Sequence, residues 1–155
     1  MAFRPNAIEG NIALLDISKP KGNILLDRLE EKLSALLPLV KFTRYIKPTF
    51  SRPAPDRLRH EINMHNHFVI EALADCGSCT SCSLHDTIWF EMHGTPAVSI
   101  ASSEFISAAR SQSKALGMRD AKCVFVQHPI QSALDEEIIR KSDQIVDEII
   151  GALKQ

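Results

Sequence analysis

The chain has 155 residues with a formal net charge of −1, and hydrophobic and charged residues make up 45% and 24% of it. That length and balance suit one globular domain over residues 1–155, large enough to bury a sizeable core. No stretch gathers Lys and Arg into a basic face, which argues against nucleic acid as a partner, and no apolar run approaches the roughly 20 residues that span a bilayer.

The opening MAFRPNAIEGN lacks the apolar core of a secretion signal, so a cytoplasmic protein is expected. In chain order, Asn11–Asp16 is a short apolar run that predicts a first strand. A loop follows, with Asn23 as N-cap of a helix that places Leu25, Leu29, Leu33 and Leu36 at helical spacing until Pro38 ends it. Val40–Ile46 alternates and is rich in β-formers, a second strand. The Pro-rich KPTFSRPAPD is irregular, and Pro55 then opens a short helix bearing Leu58 and Ile62.

Phe68–Leu73 is a third strand that runs directly into Asp75-Cys76. Past the cysteines, Leu84, Ile88, Trp89 and Met92 share a helix face that Gly94 closes. Pro96–Ala101 is a fourth strand, followed by a helix capped by Ser102 or Ser103 and carrying Phe105, Ala108, Ala109, Gln112 and Leu116. Lys122–Gln127 is a fifth strand reaching His128-Pro129. Ser132 with Asp135 has the form of a capping box for a last helix that buries Leu134, Ile138, Ile145, Ile149 and Leu153. Strand–helix alternation repeated five times predicts an α/β three-layer fold, a flavodoxin-like or Rossmann-like parallel sheet of five strands.

In such sheets the ligand crevice lies beyond the carboxyl ends of the strands. Reading off those ends gives Asp16, Ser18 and Lys19, then Asp75, Cys76 and Cys79, then Ser102 and Ser103, then Gln127 and His128. Thiols, a lysine, hydroxyls and an imidazole therefore meet on one rim. Lys19 is a candidate for an anionic substrate group, with Arg52 in the Pro-rich connection a similar one.

Three of the four cysteines lie in CGSCTSC, Cys76 to Cys82. Cys76-Gly77-Ser78-Cys79 has the C-x-x-C layout of redox thiols, at a strand-to-helix turn where backbone N–H groups and the helix dipole favour a thiolate. The competing reading is a zinc or iron–sulfur module in which Cys76, Cys79 and Cys82, with His85, are ligands. Against it, ligands spaced along one regular helix do not wrap an ion. Cys123 lies within an apolar strand and reads as a core thiol. His128 is a candidate proton carrier, His85 and Asp86 read as capping and surface groups, and the spacing of His60, His65 and His67 suggests no chelate.

ADCGSCTSCSLHD, together with HGTPAV, ARSQSKALGM and VQHP, and upstream LLDISKP and KPTFSRPAP, resembles the UGSC-motif proteins across nearly the whole chain. Many of those carry selenocysteine where this chain has Cys76, and they are more remotely similar to the B components of glycine, sarcosine and betaine reductases. The resemblance implies that Cys76 is the nucleophilic position and Cys79 its thiol partner, with Ser78 and Thr80 shaping the turn. Two features depart from the family: Ile17-Ser18 stands where Asn-Gly is common before Lys-Pro, and Cys82 where an aromatic residue is common.

The expectation is thus a thiol-dependent redox or nucleophilic enzyme, or enzyme subunit. Cys76, Cys79 and His128 would carry the chemistry. Lys19, Asp75, Ser78, Thr80, Ser102 and Ser103 would bind substrate. No cofactor is called for. The partners expected are a small-molecule substrate, a thioredoxin-like or low-molecular-weight thiol reductant, and a homologous partner subunit.

Overall fold

The computed structural model describes residues 1–155. Its centre is an all-parallel sheet of β1 (Gly10–Asp16), β2 (Val40–Ile46), β3 (Phe68–Ala74), β4 (Ala97–Ser102) and β5 (Lys122–Val126). The strands lie in the order β2-β1-β3-β4-β5, the doubly wound order expected of a flavodoxin-like fold. The connecting helices are α1 (Gly22–Leu36), α2 (Asp56–His65), α3 (Gly77–Met92), α4 (Ile106–Ala115) and α5 (Asp135–Leu153), with a short 3-10 turn at Ser103–Phe105 before α4.

The sheet divides the interior. On one side Ile12, Leu14, Phe68, Ile70, Val98, Ile100, Val124 and Val126 meet leucines of α1 and isoleucines of α5 in a cluster of 23 buried apolar residues. On the other, Ala13, Leu15, Val69 and Ala97 pack with Ile62 of α2 and Phe90 of α3 in a cluster of only six. β3 is buried along its whole length, as a central parallel strand covered on both faces must be. β2 lies at the edge, and its burial is correspondingly partial.

The end of the sheet formed by the strand starts is closed by the chain termini. Arg4 grips Glu91, near the C-terminal end of α3, with Nη2–Oε1 at 2.5 Å and Nη1–Oε2 at 3.0 Å. Glu91 also accepts from the backbone N–H groups of Ala2 and Ala97, and the Gln155 N–H donates to the Pro5 carbonyl at 3.0 Å. Gly10 has φ 95°, and a β-carbon there would lie 2.5 Å from His67 Nδ1, which accepts from the Asn11 N–H. Both the left-handed conformation and the close approach require glycine.

Local expectations failed at helix ends. Lys21, left-handed at φ 76°, occupies the N-cap of α1, while Asn23 lies inside the first turn. Leu134, not Ser132, is the N-cap of α5, and no side chain caps it; Asp135, Glu136 and Glu137 complement the helix dipole instead. Leu134 is consequently exposed, as is Met92 at the end of α3. Ser102 caps the 3-10 turn, accepting from the Glu104 N–H, and α4 begins only at Ile106. Cys123 is partly rather than fully buried.

Candidate functional site: a disulfide at the strand-end rim

Two residues beyond the end of β3, Cys76 has β dihedrals and is the N-cap of α3. Its carbonyl accepts from the Thr80 N–H at 3.0 Å and the Thr80 hydroxyl at 2.8 Å. Its sulfur accepts from the Cys79 N–H at 3.2 Å. The first turn of α3 thus bends back onto Cys76 and brings Cys79 within a Cα–Cα distance of 5.3 Å, and the two are joined as a disulfide. Cys76 is partly exposed. Cys79 is fully buried among Ile17, Ala74 and Ala101.

The neighbouring strand ends supply the rest of the rim. Lys19 reaches across from the β1 loop to Asp75, Nζ–Oδ1 2.5 Å, and lies over the Phe50 ring at 4.9 Å. Ser18 ties that loop to the Pro-rich connection through the Lys47 carbonyl. On the far side the Ser102 hydroxyl and His128 Nδ1 are 3.0 Å apart, and the His128 N–H donates to Ser103 Oγ at 3.1 Å. His128 is exposed and Ser102 is fully buried.

The other expected residues are disposed differently. Thr80 is buried and its hydroxyl is committed to the Cys76 carbonyl, so it shapes the turn. Ser78 is exposed beside Cys82. His85 points outward, 3.4 Å from the Gln112 amide, away from the thiols. The sulfurs of Cys76 and Cys79 bond to each other, and no three His, Cys, Asp or Glu side chains converge as a metal would need. Arg52 is exposed. Cavities of about 250 and 310 Å³ lie at the opposite end, lined by Asn6–Glu9 with Leu37 and by Phe3, Pro5, His67 and Pro96, and one of about 250 Å³ lies at the ends of β1 and β2, lined by Asp16, Arg44, Tyr45 and Ile46.

Beneath the rim lies a group of charges the sequence did not reveal. Lys47 Nζ is 2.8 Å from Asp86 Oδ2 and 3.2 Å from Glu71 Oε1, all three side chains being essentially inaccessible. Asp86 also accepts the Ala54 N–H on both oxygens, pinning the Pro-rich connection, and Arg59 Nη1 stands 3.9 Å from it. Asp86 is therefore a buried structural charge, not the surface group expected. Burial, reinforced by the Asp86 charge, pushes the Glu71 carboxyl well above its ordinary range. Burial opposes the charge on Lys47, but Glu71 and Asp86 beside it more than offset that and raise the ammonium above its ordinary value.

The remaining thiols are weak nucleophiles. Burial raises the Cys82 thiol, and burial pushes Cys123 up to about 12 although Ser99 beside it pulls down. Only Cys76 combines partial exposure with a helix N-terminus and an N–H aimed at sulfur.

Fold and site together define a doubly wound α/β protein with a C-x-x-C disulfide where its central strand meets a helix. The family profile described as the UGSC family matches residues 1–155, the entire chain, and the protein belongs to that family. No curated protein matches it.

Proposed function

We propose that this protein is a thiol-dependent redox enzyme, or the thiol-bearing subunit of one, in which Cys76 is the nucleophile and Cys79 the resolving thiol. The observation that carries this reading is the Cys76–Cys79 pair itself: one sulfur partly exposed at a helix N-terminus, the other fully buried behind it. An electrophile then meets Cys76 first, and only an intramolecular partner can meet Cys79.

In the working direction the Cys76 thiolate attacks an electrophilic carbon, sulfur or selenium centre, forms a bond to it and expels the leaving group. Cys79 then attacks the Cys76 sulfur, the disulfide forms, and the substrate fragment departs with the bonding electron pair and takes a proton. The substrate gains two electrons and the cysteines lose two. An external dithiol restores them by becoming a disulfide itself. His128, exposed and held through Ser102 and Ser103, would supply or accept the proton at the rim. Lys19, balanced by Asp75, offers a cation to an anionic substrate. The partly exposed Cys76 sulfur suits a thioredoxin-like protein docking on the disulfide, or a homologous partner subunit that completes the crevice.

The test is a thiol-reactivity map. After reduction, the protein is alkylated briefly at mildly acidic pH and the label located by peptide mass. Selective labelling of Cys76 is expected. Equal or faster labelling of Cys82 or Cys123 overturns the assignment of the nucleophile.

A further inference from the structure

The β5 edge of the sheet is only partly covered. β5 pairs with β4 on one side alone, and α4, the helix that precedes it, packs mainly against α3. Strand alternation sends Val124 and Val126 into the α1–α5 cluster and Cys123 and Phe125 to the opposite face. There both remain partly exposed, and a cavity of about 220 Å³ opens beside them. α4 contributes Ala109, Arg110 and Ser113 to its lining, and the loop before β5 contributes Arg119 and Ala121.

This lining carries one sign of charge. It holds two guanidinium groups and no carboxylate, and the ion pairs of the chain all lie elsewhere. Ser113, only 4% exposed, adds a hydroxyl that bonds to no other group of the chain, in contrast to Ser142, which donates back to the Ile138 carbonyl. Burial holds Cys123 as a neutral thiol, so it offers the arginines no competing anion. What remains of the lining, the Phe125 ring and two alanine methyls, is apolar.

We propose that this cavity binds a small organic carboxylate, its charged end held by Arg110 and Arg119 and its apolar body set against Phe125, Ala109 and Ala121. A planar guanidinium matches a carboxylate with two parallel hydrogen bonds. An apolar cavity of about 150 Å³ can enclose benzene, so the space here admits one ring with its carboxylate. Inorganic phosphate leaves the apolar part of the lining unused. Ser113 also stands in the last turn of α4, where the negative end of the helix dipole disfavours a second charge on the ligand. Cys123 and Phe125 pack against the cluster that encloses Cys79, and Phe125 is the strand partner of Ala101 within it. The ligand therefore sits close behind the disulfide cluster, yet its binding needs no thiol chemistry and stands apart from the redox reading.

The experiment is an amide NMR titration of the whole chain with benzoate, benzamide and inorganic phosphate at constant ionic strength. Benzoate is expected to give saturable shifts at Ala109, Ser113, Cys123 and Phe125. Benzamide, which keeps the ring and lacks the charge, should bind at least about tenfold more weakly, and phosphate, which keeps the charge and lacks the ring, should also bind more weakly than benzoate. This comparison needs no variant to fold. The double variant Arg110→Gln, Arg119→Gln changes two exposed side chains and should raise the benzoate dissociation constant at least about tenfold. Absence of saturable benzoate shifts, or shifts spread over the other arginines and lysines, overturns the site. Phosphate or benzamide binding as tightly as benzoate overturns the ligand class, and unchanged affinity in the double variant overturns the role of the arginines.

Discussion

The two faces of the sheet are built on different principles. Under α1 and α5 the interior is an unbroken apolar cluster, and its stability comes from area removed from water. Under α2 and α3 the apolar cluster is small, and beside it lie Lys47, Glu71 and Asp86, a Thr87–Ser99 hydroxyl pair and the orphaned Ser83 hydroxyl. Buried ion pairs contribute little net stability because desolvation consumes their attraction. The contrast teaches that one face holds the fold together while the other carries charge up to the rim where the disulfide sits.

The largest effect expected concerns the charged face. Lys47→Met leaves Asp86 and Glu71 buried without their cation and should cost about 3–5 kcal/mol in urea denaturation. The triple variant Lys47→Met, Glu71→Leu, Asp86→Asn should recover most of that loss. If Lys47→Met is as mild as a surface substitution, the distinction between the faces collapses.

On the apolar face, Leu29→Ala should cost about 2–5 kcal/mol by leaving a cavity, whereas Leu29→Met should cost less than about 1.5 kcal/mol. Neither loss should depend on pH, since the side chain being changed is apolar and fully buried.

Smaller, and diagnostic, is the pH dependence of Glu71→Gln. The folded wild type holds a proton on Glu71 that the unfolded chain has already released, so its stability falls as pH rises from the ordinary carboxylate range toward the raised folded value. Glutamine has no such loss. Denaturation at several pH values should show the variant gaining on wild type as pH increases, and parallel curves would remove Glu71 from the buried titrating groups.

The smallest effect belongs to the surface. Arg28 forks onto Asp143 between α1 and α5 and holds that carboxyl below its usual range. Its contribution is present above the unfolded carboxylate pKa and is lost as pH falls through the folded one. Arg28→Ala should change stability little, and less still at high salt.

Much of this architecture is readable from local pattern. The strands emerged because β-formers and apolar runs end at Pro, Gly or polar residues, and the rim because each strand end names the residues that follow it. Cys76 and Cys79 lie three apart on one turn, so their pairing needs no distant information. The charged face is different. Lys47 and Glu71 are 24 residues apart, and Lys47 and Asp86 are 39 apart, so only the folded sheet brings them together. One signal was available: an acid in the middle of FVIEALA, a strand otherwise fit for complete burial. Asp86 reads as a surface group in the sequence because the stripe it shares with Cys79 and Ser83 becomes an inner face only once β3 is placed beneath it. Asn23 and Ser132 look like caps in the sequence, yet the backbone at Lys21 and Leu134 starts each helix without a side-chain cap.

The clasp between Arg4 and Glu91, with the Gln155 N–H on the Pro5 carbonyl, gathers both ends of the chain at the foot of α3. That helix has 16 residues, about 24 Å of rise, and Cys76 stands at its other end. An affinity tag or surface tether attached at either terminus therefore sits a full helix length from the disulfide, and immobilised protein presents its disulfide-bearing rim to whatever flows past.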